Sequence, residues 1–191
     1  MSKSWSKYYE ITSNRNVHPI LQLGLDFIKT PGTAYDMGAG SGVDTGHLLK
    51  LGWNVHAVDN EESSIKFMEE RLTDYESLVL EKKSFEKLKM KPCNLIFGSA
   101  SFPFCPPDHF IIFWNKMRSV LMINGIVCGN FFGYKDDWSS RKDMTFQNEK
   151  SIIQLFRGYE ILFFDELEED KETALGTMKH WHIYSFVLRK V

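Results

Sequence analysis

Three glycines in the stretch YDMGAGSGVDTGHLL, Gly38, Gly40 and Gly42, stand at alternate positions between an apolar run and a helical pattern. Without Cβ atoms they let the main chain turn tightly and lie against a ligand. The start of the following helix offers free amide hydrogens to an anion. Asp36 precedes the loop, and Asp59 closes the next apolar run, HAVDN, 21 residues after Gly38. A carboxylate there can accept hydrogen bonds from two ribose hydroxyls. The pattern predicts an adenosine-type ligand at the carboxyl edge of a parallel sheet. The dinucleotide fingerprint GxGxxG fails at Val43, and the phosphate loop GxxxxGK[ST] is absent.

Strands and helices in regular alternation must hold these residues. Strands are predicted over Thr33–Met37, Asn54–Val58, Leu78–Leu80 and Asn94–Gly98, with a fifth, IVCGNFF, entered through the turn Asn124-Gly125. Helices are predicted over Trp5–Tyr9, from His18-Pro19 with Ile20, Leu21, Leu25 and Ile28 inward, and over Val43–Leu51, ending at Gly52. Others follow over Glu61–Asp74, from Pro107 to Leu121, and over Phe146–Arg157, closed by Gly158. Tyr159–Asp165 and Trp181–Leu188 read as two strands with no helix between them, joined by a flexible acidic segment, Glu166–Lys179. The fold class predicted is α/β: a Rossmann-like, seven-stranded, mostly parallel sheet with helices on both faces and a C-terminal antiparallel β-hairpin.

The 191 residues are expected to form one domain, 1–191, with residues 1–30 a helical cap segment over the cofactor edge. A hydrophobic fraction of 43% supplies a core, and a net charge of −2 without a basic stripe does not favour nucleic acid as partner. No apolar run reaches membrane-spanning length, and the start, MSKSWSKYYE, lacks a signal-peptide pattern. Cys93, Cys105 and Cys128 have no CxxC spacing and read as buried thiols, which suggests a cytoplasmic protein.

With YDMGAGSG, HAVDN and LMINGIVCGNFFG in place, nearly the whole chain resembles the class I S-adenosylmethionine-dependent methyltransferases, above all the small bacterial tellurite-resistance type. Ile123-Asn124-Gly125 stands where that family usually carries Pro-Gly-Gly. The resemblance implies S-adenosylmethionine as cofactor and S-adenosylhomocysteine as product. It implies that Asp36 organises the methionyl end and that Gly38, Ala39 and Gly40 lie against it. It further implies that Asp59 binds the ribose, Asn60 flanks the adenine, and Ser99 and Ala100 border the same pocket. Relatives hold the adenine amine with an acid after the third strand; here Ser84 replaces it, followed by Phe85, whose backbone would meet the ring.

The methyl acceptor leaves a fainter trace. Cys105-Pro106-Pro107-Asp108 keeps the prolines of the amine-methylating motif but neither its polar first residue nor its aromatic last, so amine methylation is not implied. Trp5 and Tyr9, with Tyr8, could face a sulfonium or serve only for burial. Arg15 could meet the cofactor carboxylate or stay solvated, and His109 could act as a base at the pocket mouth. Asp137 and Trp138, in the loop after the fifth strand, could line the acceptor site. His180 and His182 share one strand face without further ligands at metal spacing, so no metal is expected. The expected partner is a small-molecule acceptor, with the chain a monomer or homodimer. Two other classes stay open, an NAD(P)-dependent oxidoreductase and a non-catalytic S-adenosylmethionine binder.

Overall fold

The computed structural model describes residues 2–191, with the side chains of 5 and of 7 onward. Its helices are α1 (Ser2–Thr12), α2 (Pro19–Leu25), α3 (Val43–Lys50), α4 (Glu62–Arg71), α5 (Pro107–Val120) and α6 (Glu149–Leu155). Its strands are β1 (Thr33–Met37), β2 (Asn54–Asp59), β3 (Leu78–Lys82), β4 (Cys93–Gly98), β5 (Leu121–Gly133), β6 (Phe146–Gln147), β7 (Tyr159–Glu172) and β8 (Met178–Lys190). The sheet order is β3-β2-β1-β4-β5-β8-β7, parallel up to β5 and antiparallel in β8 and β7. Because the order reverses at β1, the ends of β1 and β4 open a crevice at the carboxyl edge.

Alternation along the strands sorts the core into two faces. Ala34, Leu95, Phe97, Ile126, Cys128 and Val187 pack under α2 and α3, with Ile20, Leu21, Leu48 and Leu49. Tyr35, Ile96, Val127, Phe131 and Phe186 pack under α5 and α6, with Phe113, Trp114, Ile152 and Leu155. Phe102, fully buried, touches the rings of Phe113, Trp114, Phe131 and Phe186 at centroid distances of 6.2–6.3 Å.

Three elements differ from expectation. The predicted helix over Phe146–Arg157 begins only at Glu149, because Asn148 caps it: its side chain accepts from the Ser151 amide, and the Ser151 hydroxyl accepts from the Asn148 amide. Phe146 and Gln147 instead form β6, a short parallel addition to the end of β5. The segment Glu166–Lys179 is not a flexible connection, since β7 and β8 pair without a break from Phe163↔Val187 to Glu172↔Met178. Its acidic residues meet basic ones, Asp170 beside His180 across the pair at 2.7 Å and Glu168 beside Lys135 of the segment after β5 at 2.6 Å. The Asn124-Gly125 turn is an excursion within β5: pairing jumps from Cys93↔Leu121 to Leu95↔Ile126, and Asn124 takes φ 64°.

Truncating Phe102→Ala is expected to cost about 3–5 kcal/mol by emptying the ring cluster beneath β4 and β5. A loss under about 1 kcal/mol in urea unfolding would show that this cluster does not hold the two strands together.

Candidate functional site

The loop from Gly38 to Gly42 bends because Gly38, Gly40 and Gly42 all hold positive φ, at 73°, 56° and 73°. Gly38 also has no room for a side chain, since a Cβ would fall 2.5 Å from that of Ser101. The turn is closed from within. The amides of Gly38 and Ala39 both donate to the Val58 carbonyl, and that of Gly42 donates to the Ala39 carbonyl. The Gly40 amide donates to Asp59 Oδ2 at 2.9 Å, while Asp59 Oδ1 accepts from the Glu61 amide at 3.0 Å. The amides of Gly38, Ala39, Gly40 and Gly42 are therefore spent inside the protein.

Around the loop stand three carboxylates. Asp36, buried at the end of β1, accepts from the Thr45 hydroxyl at 2.6 Å. Burial and the neighbouring Asp44 charge push its acid up to about 7. Asp44, in the first turn of α3, is gripped by both guanidinium nitrogens of Arg15 and by the His18 amide at 2.8 Å. Asp59 is the third. The ring of Tyr8, half-buried, feels the charges of Arg15, Asp59 and Asp44, and burial raises its phenol.

The predicted cofactor residues converge on the ends of β1, β2 and β4 and on the turn after β3. Gly38, Ala39, Gly40, Asp36 and Asp59 form the loop and its clamp, and Asn60 is exposed at the end of β2. Ser99 and Ala100 follow β4, where Ala100 holds φ 48°, a left-handed conformation uncommon for a residue with a side chain. Ser84 is altered by its neighbour: its hydroxyl donates to Glu86 at 2.5 Å, which holds the Glu86 acid below the usual carboxylate range. The acid that Ser84 lacks thus stands two residues on. The Phe85 side chain stacks on Phe113 at 5.0 Å in the core.

The predicted acceptor residues are not brought together. Tyr9 is buried against Phe67 of α4, with Trp5 stacked on it at 6.2 Å. His109 is exposed on the first turn of α5. Asp137 accepts from the His180 amide at 2.8 Å, and Trp138 packs on Phe132 and Trp181, so both hold the loop after β5 to the hairpin. Arg15 is exposed, as one of its two readings had it, and its guanidinium pairs with Asp44. His182 bonds Glu166 at 2.7 Å and His180 bonds Asp170. Among the described residues no cluster of three or more His, Cys, Asp or Glu side chains is arranged to hold a metal ion. Nor is any helix there long and apolar enough to cross a membrane.

Four residues went unread in the sequence. Asp44 and Glu86 carry a signal only through partners distant in the chain or hidden in a turn. Ser101 Oγ and Asn130 Oδ1 are buried and have no hydrogen-bond partner, a state rare enough to point at a ligand.

The fold is shared with known proteins. The family model described as tellurite resistance protein TehB matches residues 2–117. No curated protein matches the chain. The crystal structure of TehB from Haemophilus influenzae superposes with a TM-score of 0.81 at 16% identity, covering 98% of this chain and 67% of that one. The N-methyltransferase NodS from Bradyrhizobium japonicum WM9, solved with S-adenosyl-L-homocysteine, gives 0.70 at 12% identity over 97% and 98% of the two chains. The Burkholderia thailandensis 1,6-didemethyltoxoflavin-N1-methyltransferase gives 0.68 at 17% identity over 89% and 76%. With the crevice, the glycine loop and the terminal hairpin in place, the chain belongs to the TehB family of S-adenosylmethionine-dependent methyltransferases.

Proposed function

We propose that this chain transfers a methyl group from S-adenosylmethionine to a small-molecule acceptor, releasing S-adenosylhomocysteine. The observation that carries the reading is the clamp of Asp59 on the Gly40 amide at the mouth of a loop whose Gly38, Ala39 and Gly42 amides are already spent. A pyrophosphate needs unpaired amides and suffers near carboxylates; a sulfonium with an ammonium group is favoured by both features. Each Asp59 oxygen carries one protein hydrogen bond and retains a lone pair for a ribose hydroxyl. Asp36 and Asp59 supply the negative field for the cationic end, the Asp44 charge being offset by Arg15, with Tyr8 near Asp59. Glu86, oriented by Ser84, is the residue suited to an adenine amine. When bound, the cofactor supplies an activated methyl group, so the protein needs chiefly to align an acceptor nucleophile with it. The new bond to the methyl carbon forms as the carbon–sulfur bond breaks, and a protic acceptor gives its proton to water. S-adenosylhomocysteine in NodS, in the toxoflavin enzyme and in the Synechocystis magnesium protoporphyrin IX methyltransferase supports the same ligand here.

Asp59→Asn is expected to weaken S-adenosylhomocysteine binding at least about ten-fold, as charge-assisted hydrogen bonds worth roughly 1.5–3 kcal/mol each are lost. Calorimetry reading equal affinities would remove Asp59 from the site. Thermal stabilisation of the wild type by NAD or NADP, and not by S-adenosylhomocysteine, would overturn the methyltransferase reading.

Asp36 gives a pH signature. Its folded acid, near 7, lies above the ordinary 3.8, so between those values the folded chain binds the extra proton. Stability therefore falls as pH rises through that window, and the whole penalty is present above it. Asp36→Asn should be more stable than wild type at pH 8, by more than about 1 kcal/mol, with the gap closing toward pH 4. Affinity for the cationic cofactor should rise from pH 6 to 8 in the wild type and stay flat in the variant. A wild-type affinity independent of pH would place the Asp36 charge outside the binding energetics.

A further inference from the structure

The outermost strand of a sheet exposes a row of unused main-chain donors and acceptors, and proteins ordinarily keep such strands short. At one edge β3 obeys that rule, with five residues. At the other edge β7 runs for 14 residues, and among the described residues no strand pairs with its outer side. Ile161 and Phe164 of β7 stay 55% and 41% exposed, and Ile153 of α6 stays 64% exposed. With Ile152, Phe156 and Tyr159 they line a cleft of about 320 Å³ between α6 and β7. Large apolar side chains gathered at one place on the surface forfeit their burial energy until something covers them.

The charges along β7 identify the covering partner. Its start is cationic: Arg118 Nη1 donates to the Arg157 carbonyl at 3.0 Å, and the Lys190 ammonium donates to the Arg118 carbonyl at 2.7 Å. Among the described residues none of these three side chains makes an ion pair, whereas Arg189 nearby is paired with Glu160. Its end is acidic: six carboxylates and one lysine follow Phe164, and Lys135, His180 and His182 answer three of those carboxylates. Two such strands laid parallel would set like charges side by side. Laid antiparallel about a two-fold axis near Phe164, each cationic start meets the other strand's acidic end, and the apolar stretches meet each other. The bulge between Ile161 and Phe163 is no obstacle, since β8 already pairs along the same stretch with a one-residue adjustment.

We infer that the outer side of β7 is a self-complementary interface, through which two copies of this chain join their sheets into one across a two-fold axis. The main chain supplies the pairing, the exposed apolar side chains of each copy cover the other's cleft, and the charge gradient along the strand fixes the antiparallel direction. The inference goes beyond the methyltransferase reading and does not depend on it.

Light scattering after size exclusion is expected to give the wild type twice the 22.3 kDa mass of one chain. Ile161→Lys, at an exposed position, should keep the wild-type circular dichroism and run as a monomer. In sedimentation, Arg157→Glu and Asp170→Arg should each weaken the dimer at least about ten-fold, and the two changes together should recover most of that loss. Amide exchange should show Phe163–Glu168 protected in concentrated samples and released on dilution, with β3 unaffected. A wild type that stays monomeric up to its solubility limit would overturn the inference. So would a dimer that Ile161→Lys leaves intact, or one whose dilution-sensitive amides lie outside β7 and α6. A combined charge reversal no better than either single change would rule out the antiparallel pairing.

Discussion

One carboxylate closes the loop on which the site is built. Asp59, at the end of β2, ties the Gly40 amide across the gap between two crossovers and steadies the first turn of α4 through the Glu61 amide. Gly40, in turn, accepts the Ser64 hydroxyl of α4 through its carbonyl at 2.7 Å. The loop and the stretch from Asp59 to Ser64 thus share a few polar atoms, and the backbone conformation that only glycine tolerates easily is held from both sides. A loop fixed in this way is preorganised, so a ligand need not bear the entropy of ordering it.

The same economy ties the N-terminal segment to the sheet. Asp44 serves both Arg15 and the His18 amide, which ties the chain before α2 to the first turn of α3. α1 then lies along α4, where Tyr9 meets Phe67. The N-terminal segment is therefore anchored at two places, by an ion pair at one end and by packed rings at the other.

Much of this was legible in the sequence, and the misses share a cause. The glycine loop and Asp59 could be read because their chemistry is written in consecutive residues and one strand spacing. The strands around them follow from apolar runs bounded by turns. The acidic run from Glu166 could not be read as strand, since carboxylates are poor strand formers alone. It became strand through Lys135 and His180, which lie far off in the chain or on the partner strand. Phe146 fitted helical spacing, yet Asn148 and Ser151 two and five residues later fixed the true start. Asn130 sat unnoticed inside an apolar strand because its isolation is a property of its neighbours. The acceptor residues failed as a group for the same reason: Trp138 and Asp137 are polar and aromatic, but their partners consume them.

The Lys179 ammonium sits 3.7 Å from the ring of Trp181 and 4.5 Å from that of Trp138, and meets Asp136 at 2.5 Å. Freeing the segment after β5 would take away the Trp138 ring and the Asp136 carboxylate and leave the Lys179 ammonium buried without its counter-charge. The segment after β5 is accordingly latched to the hairpin by one charge shared between a carboxylate and aromatic faces.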